Sequence, residues 1–137
     1  MNNQIENADT NNTFKCQIDS GEAFYFPIVN CFLSNFLRIT GAQEEFEQQI
    51  ENLEFNFAPD IQSGEYKLND PGVNVDVRTG WVNTRYTATS LTLKLTVDHS
   101  SKSISGVYAI QTVQDYGGVV EPGIDVNGNF AANYIIS

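Results

Sequence analysis

Leu91, Leu93, Leu95 and Val97 alternate with Thr92, Lys94, Thr96 and Asp98, the period of a strand with one face buried and the other in water. A polar stretch, His99-Ser100-Ser101-Lys102-Ser103, separates it from a second alternation at Ile104, Gly106, Tyr108 and Ile110. The two predict an antiparallel hairpin. Residues 14–18, 24–28 and 37–39 are short runs rich in aromatic or β-branched side chains. Leu53, Phe55 and Phe57 alternate with Glu54 and Asn56, and Val73, Val75 and Val77 with Asn74 and Asp76. Residues 81–89 are rich in strand formers and free of Pro and Gly, and Ile124 and Val126 precede a final run over 130–136.

Turn chemistry falls between these segments, at Asp19-Ser20-Gly21, Ala58-Pro59-Asp60, Ser63-Gly64, Asn69-Asp70-Pro71-Gly72, Thr79-Gly80, Gly117-Gly118 and Glu121-Pro122-Gly123. A spacing of roughly eight to twelve residues between turns is that of sandwiches and barrels. Asn127-Gly128 admits two readings, a tight hairpin turn or a glycine inside a continuing strand. One stretch departs from the β pattern. Phe46, Ile50 and Leu53 stand at helical spacing, and Thr40-Gly41-Ala42-Gln43 fits a capping box, which predicts a short helix over 43–49. The expected architecture is all-β, a single-domain antiparallel β-sandwich over residues 13–137 with barrel-like closure as the alternative, preceded by an Asn-rich polar arm over 1–12.

Composition and charge narrow the class. With 41% hydrophobic residues, nine Phe, six Tyr and one Trp among 137 positions, the chain has enough bulky apolar side chain for one core in spite of its charge. Seventeen acids against seven Lys and Arg give a net charge of −10. That field repels phosphate backbones and anionic headgroups, so no nucleic-acid partner is expected. It favours solubility and would steer a basic partner.

No run approaches the roughly 18 apolar residues of a membrane-spanning helix, and Met1-Asn2-Asn3-Gln4 lacks the basic start and apolar stretch of a secretory leader. A native Met1 predicts a cytoplasmic protein. A Met1 added to a mature chain makes residues 2–12 a tether left by leader cleavage, and the domain extracytoplasmic or at the cell surface. For the cysteines, a hairpin centred on Asp19-Ser20-Gly21 sets Cys16 opposite about position 25 and leaves Cys31 out of reach. Two buried free thiols are expected in preference to a bridge.

A longer pattern runs from Ile18-Asp19-Ser20-Gly21-Glu22-Ala23-Phe24 through Phe36-Leu37-Arg38-Ile39-Thr40-Gly41 to Ser63-Gly64-Glu65-Tyr66-Lys67-Leu68. It closes with Leu93-Lys94-Leu95-Thr96-Val97-Asp98, Ser103-Ile104-Ser105-Gly106-Val107-Tyr108-Ala109 and Val126-Asn127-Gly128-Asn129-Phe130. Over roughly residues 14–134 this order resembles small β-sandwich lipoproteins of unknown function from Bacteroidetes. The resemblance implies a fold more than an activity, since its positions are turn glycines and core residues. Such lipoproteins end their leader at a lipid-bearing Cys, which this sequence does not display.

The chemistry-bearing residues are few. His99 is the single histidine, so a metal site of several imidazoles is excluded. Asp98-His99-Ser100 is not a triad by adjacency, because neighbours on a strand point to opposite faces. His99 is expected as a solvated turn residue. The acids Glu44, Glu45, Glu47 and Glu51 form the densest carboxylate cluster, read as a hydrated face in preference to a glycosidase pair. Asp125-Val126-Asn127-Gly128-Asn129 begins like a calcium loop but has Phe130 where Gly belongs and Ile136 where Glu belongs. A cation near Asp115 or Asp125 is the remaining idea. No cofactor and no metal are expected.

For binding, interfaces favour Trp, Tyr and Arg. Arg78, Trp81, Arg85 and Tyr86 fall within nine residues and form the candidate contact surface, although Trp81 would equally serve as a core anchor. Tyr116, just before Gly117-Gly118, is a further candidate on a loop tip. The expectation is a non-catalytic binding or assembly module, displayed at a bacterial surface or built into a larger particle, with a protein or glycan partner or with itself. The alternatives are an acidic immunity or inhibitor protein covering a basic partner and a carbohydrate-active enzyme using paired carboxylates.

Overall fold

A computed structural model of the protein describes residues 12–44, 49–81 and 83–137. Among these, the strands are β1 (Thr13–Ile18), β2 (Phe24–Tyr25), β3 (Ile28–Leu33), β4 (Leu37–Ala42), β5 (Asn52–Phe57), β6 (Gly64–Lys67), β7 (Val73–Arg78), β8 (Thr84–Asp98), β9 (Ser103–Tyr116), β10 (Val119–Asn133) and β11 (Ile135–Ile136). They form a six-stranded sheet in the order β2-β1-β10-β9-β8-β6 and a five-stranded sheet in the order β11-β3-β4-β5-β7. Every pairing is antiparallel except β11 on β3. The sheets face each other without closing into a barrel, and the fold is the expected all-β sandwich.

The alternating positions meet between the sheets. Leu91, Leu93 and Leu95 of β8 lie inward with Tyr108 and Ile110 of β9, Val126 and Phe130 of β10, and Phe14 of β1. Leu37, Ile39, Leu53, Phe55 and Phe57 oppose them from the other sheet. Phe14, Phe55, Tyr108 and Phe130 are mutually in contact, with ring centroids no more than 6.4 Å apart. Each such ring contributes roughly 1.5–3 kcal/mol by burial, so this knot is the centre of the core.

Several boundaries differ from the periodicity reading. Residues 81–97 are not two segments, because β8 runs unbroken through a bulge between Ala88 and Ser90. The extra residue changes the parity of the strand: Tyr86 and Ala88 share the inward face before it, Leu91 and Leu93 after it. The break expected at Glu121-Pro122-Gly123 is likewise a bulge inside β10. It lies beside Thr112, whose hydroxyl donates to the Ile124 carbonyl at 2.9 Å and accepts from the Ile124 N–H at 2.8 Å. The buried backbone of the bulge is thereby satisfied.

Gly128 lies within β10, opposite both Cys16 and Tyr108. A side chain there would strike the Lys15 carbonyl and crowd the Tyr108 hydroxyl, which reaches past the glycine to donate to that carbonyl at 2.8 Å.

The run over 24–28 is divided at Phe26-Pro27, where the chain leaves the six-stranded sheet for the five-stranded one. The Phe26 N–H bonds the Phe14 carbonyl, and Pro27 has no N–H to continue a ladder. The run over 130–136 changes sheets at Tyr134 in the same way. Thr40 and Ala42 belong to β4 and do not cap a helix. The helix expected over 43–49 falls mostly on residues 45–48, outside the described residues, as do the N-terminal arm through Asn11 and Glu45 and Glu47 of the acidic cluster.

Candidate functional site

Among the described residues, sheet order leaves the edges of β7 and β6 and the first half of β8 unpaired on one side of the sandwich. β7 closes the five-stranded sheet, and β6 covers β8 only over Thr92–Leu95, so among the described residues no strand lies beside the first half of β8. The backbone direction on both edges follows from hydrogen bonds at their ends. The Arg78 carbonyl accepts from Glu51 on the β5 side. Alternate residues of a strand point their N–H and C=O to the same side, so those of Val73, Val75 and Val77 face outward. The Asn83 carbonyl accepts from the Gly117 N–H, so Arg85 and Thr87 address β9 while Tyr86 and Ala88 face the open edge. β7 ends at Arg78 and β8 begins at Thr84, just after Asn83 at φ 59°.

Between the edges runs a groove of about 680 Å³. Its floor is made by the inward side chains Leu68, Val75, Val77, Tyr86 and Ala88. Leu68, Val75 and Ala88 pack against the core yet remain only partly buried, so the apolar interior is uncovered here. The rim carries Asp76, Arg78, Arg85 and Thr87, and Arg78 Nε donates to Asp76 Oδ2 at 2.8 Å. Tyr86 is the anomaly. It is 5% exposed, and its buried hydroxyl has no hydrogen-bond partner among the described residues. Burial, with the Asp19 carboxylate adding to it, raises its pKa.

The candidate residues are brought together more closely than their spacing required. Arg78, Arg85 and Tyr86 line this one groove. Trp81 lies in the connection at its end, 42% exposed, so it is not the core anchor. Tyr116 is 56% exposed and pairs across the ladder with Thr84. The role of Tyr86 is corrected, since it forms floor and not surface. The bulge in β8 turns it inward, and nothing in the local sequence announces that bulge. Leu68, Val75 and Ala88 were not singled out, and Val75 carried the only available signal, as an inward position on a strand that proves to be an edge.

The other reactive groups are engaged in structure. His99 is not a solvated turn residue. Its Nε2–H donates to the Ile61 carbonyl at 2.7 Å and its Nδ1 accepts from the buried Tyr134 hydroxyl at 2.9 Å, which ties the loop after β5 to the end of β10. Cys16 and Cys31 are buried and free, on different sheets, and burial pushes both thiols up to about 12.

Of the two acids weighed for calcium, Asp115 closes its turn by accepting from the Gly118 N–H at 2.9 Å, whereas at Asp125 it is the backbone N–H that is engaged, donating to Asp19 Oδ1 at 2.9 Å. Among the described residues no three His, Cys, Asp or Glu side chains gather as metal ligands, and no helix is long and apolar enough to cross a membrane. Compared with known proteins, the chain matches no family model, no curated protein and no solved structure.

Proposed function

We propose that this protein is a non-catalytic binding module that captures an extended segment of polypeptide in the groove between β7 and β8 by strand addition. One observation carries the reading: a partly uncovered apolar floor lies between two strand edges whose outward N–H and C=O groups have no strand beside them among the described residues. Main-chain hydrogen bonds to such an edge supply affinity for any extended chain, and side-chain pockets read every second residue. The partly buried Leu68, Val75 and Ala88 favour alternate apolar residues in the ligand. Positions 78 and 85 place two cations on the rim of an otherwise acidic chain, which suits a ligand whose outward face is neutral or acidic.

The test is selection from a displayed library of random ten-residue peptides. Recovered binders are expected to alternate apolar and polar residues, and to be lost when Ala88→Arg fills the floor. Binders without alternation, or binding unchanged by Ala88→Arg in a folded variant, overturn the reading.

A further inference from the structure

The edge of the five-stranded sheet opposite the groove has the complementary character. β11 is held on β3 by two residue pairs, Ile135 with Phe32 and Ile136 with Leu33, and by the Ser137 N–H on the Leu33 carbonyl. Ile135 is 55% and Ile136 60% exposed, and Phe32, which pairs with Ile135, is also exposed. Ile136 shares the inward side with Leu33, and Ile135 the outward side with Phe32. This is a short, aliphatic edge with no charged side chain over Asn133–Ser137, the kind of edge that proteins ordinarily blunt with Lys or Pro. Among the described residues the same chain therefore carries, on opposite edges of one sheet, an uncovered apolar strand and a groove whose floor lacks one.

We infer that the occupant of the groove is the β11 edge of a second copy of this chain. The inference rests on the strand-capture reading above and names its ligand. The five-stranded sheet of one copy continues into that of the next, with Ile136 entering over Leu68, Val75 and Ala88 and Ile135 remaining on the outer face. Residues 133–136 bring no charged side chain into the groove. The contact joins two different surfaces, so it is heterologous and propagates head to tail. The net charge of −10 makes copies repel, so association strengthens as salt screens the repulsion.

The experiment compares three forms of the full chain by sedimentation and light scattering: the wild type, the double variant Ile135→Asp/Ile136→Asp with its donor edge spoiled, and Ala88→Arg with its groove filled. Circular dichroism verifies that each is folded. The wild type is expected to grow beyond a monomer over about a hundredfold rise in concentration, and to do so more readily at high salt. Each variant alone stays monomeric. Their mixture forms a dimer and nothing larger, because it holds one working edge and one working groove per pair.

A wild type monomeric throughout, or an edge variant that associates like the wild type, overturns the inference. If Ala88→Arg fails to fold, Val75→Pro, which removes an outward N–H from the open edge of β7 and no ladder bond, takes its place. A selected alternating peptide run in parallel separates the two claims. Peptide binding in the groove of a strictly monomeric wild type refutes the second copy and leaves strand capture standing. No peptide binding refutes both.

Discussion

Replacing Tyr86 by Phe removes one oxygen and is expected to make the free protein more stable. The hydroxyl is buried and unpartnered, and an unsatisfied buried polar group costs about 1–3 kcal/mol in desolvation. The dispersion lost with a single atom is a few tenths of a kcal/mol. The net expectation is a gain of about 1–2 kcal/mol. For 137 residues the unfolding entropy converts each kcal/mol into about 3–4 °C, so Tm rises by roughly 3–8 °C.

Tyr108→Phe is the internal control. The hydroxyl of Tyr108 donates to the Lys15 carbonyl at 2.8 Å, so the same chemical change there removes a hydrogen bond that is made and is expected to lower stability by about 1 kcal/mol. Differential scanning calorimetry of the two variants reads opposite signs. A Tyr86→Phe protein that melts below the wild type would show its hydroxyl to be bonded, and would refute the claim that the groove is built with an unmet partner.

Thr112→Val keeps the shape but strips both hydrogen bonds from Ile124. It is expected to cost about 2–4 kcal/mol in urea unfolding, whereas a loss below about 0.5 kcal/mol would mean the bulge needs no bracket. Gly128→Ala, which in an open strand would stabilise, is expected to destabilise by about 2–4 kcal/mol because its Cβ meets the Lys15 carbonyl and the Tyr108 hydroxyl; a neutral result would contradict that packing. The buried thiols of Cys16 and Cys31 are held near 12 against roughly 8.5 in an unfolded chain. The native state keeps protons that the unfolded state releases, so their contribution is intact below about pH 8.5 and falls as pH rises towards 12, by about 1.4 kcal/mol per pH unit for each thiol. Urea titrations at pH 8, 9 and 10 on the wild type and on Cys31→Ala read the difference, and equal slopes would exclude it. Both thiols are expected to react with a disulfide reagent only once the protein is denatured.

The sandwich was legible wherever one face of a strand is wet, because alternation reports that directly. Residues 91–97 and 104–110 are the clearest cases and form the β8–β9 hairpin. What stayed hidden was set by tertiary contact. The bulge between Ala88 and Ser90 inverts which residues face inward, and it alone turns Tyr86 from surface to floor. Pro122-Gly123 carries the chemistry of a turn and is held in a strand by Thr112, a partner twelve positions from Ile124. Phe26-Pro27 and Tyr134 are points where the chain changes sheets, which local periodicity does not record. The groove was half visible. Its Arg and Tyr residues stand out by type, but the openness of β7 and β8 is a property of sheet order, and no local pattern encodes which strand ends a sheet.

The most direct test of strand capture is amide hydrogen exchange, followed by NMR, on the outward amides of Val75, Val77, Tyr86 and Ala88 with and without a selected alternating peptide. In the free protein these amides face no strand and are expected to exchange far faster than their neighbours Asn74, Asp76, Arg85 and Thr87, whose amides lie in ladders. On saturation with peptide, protection is expected at the outward amides of at least one of the two edges, in alternate residues, with little change at their neighbours. Slow exchange at all four in the free protein, or peptide binding that protects none of them, would contradict the account.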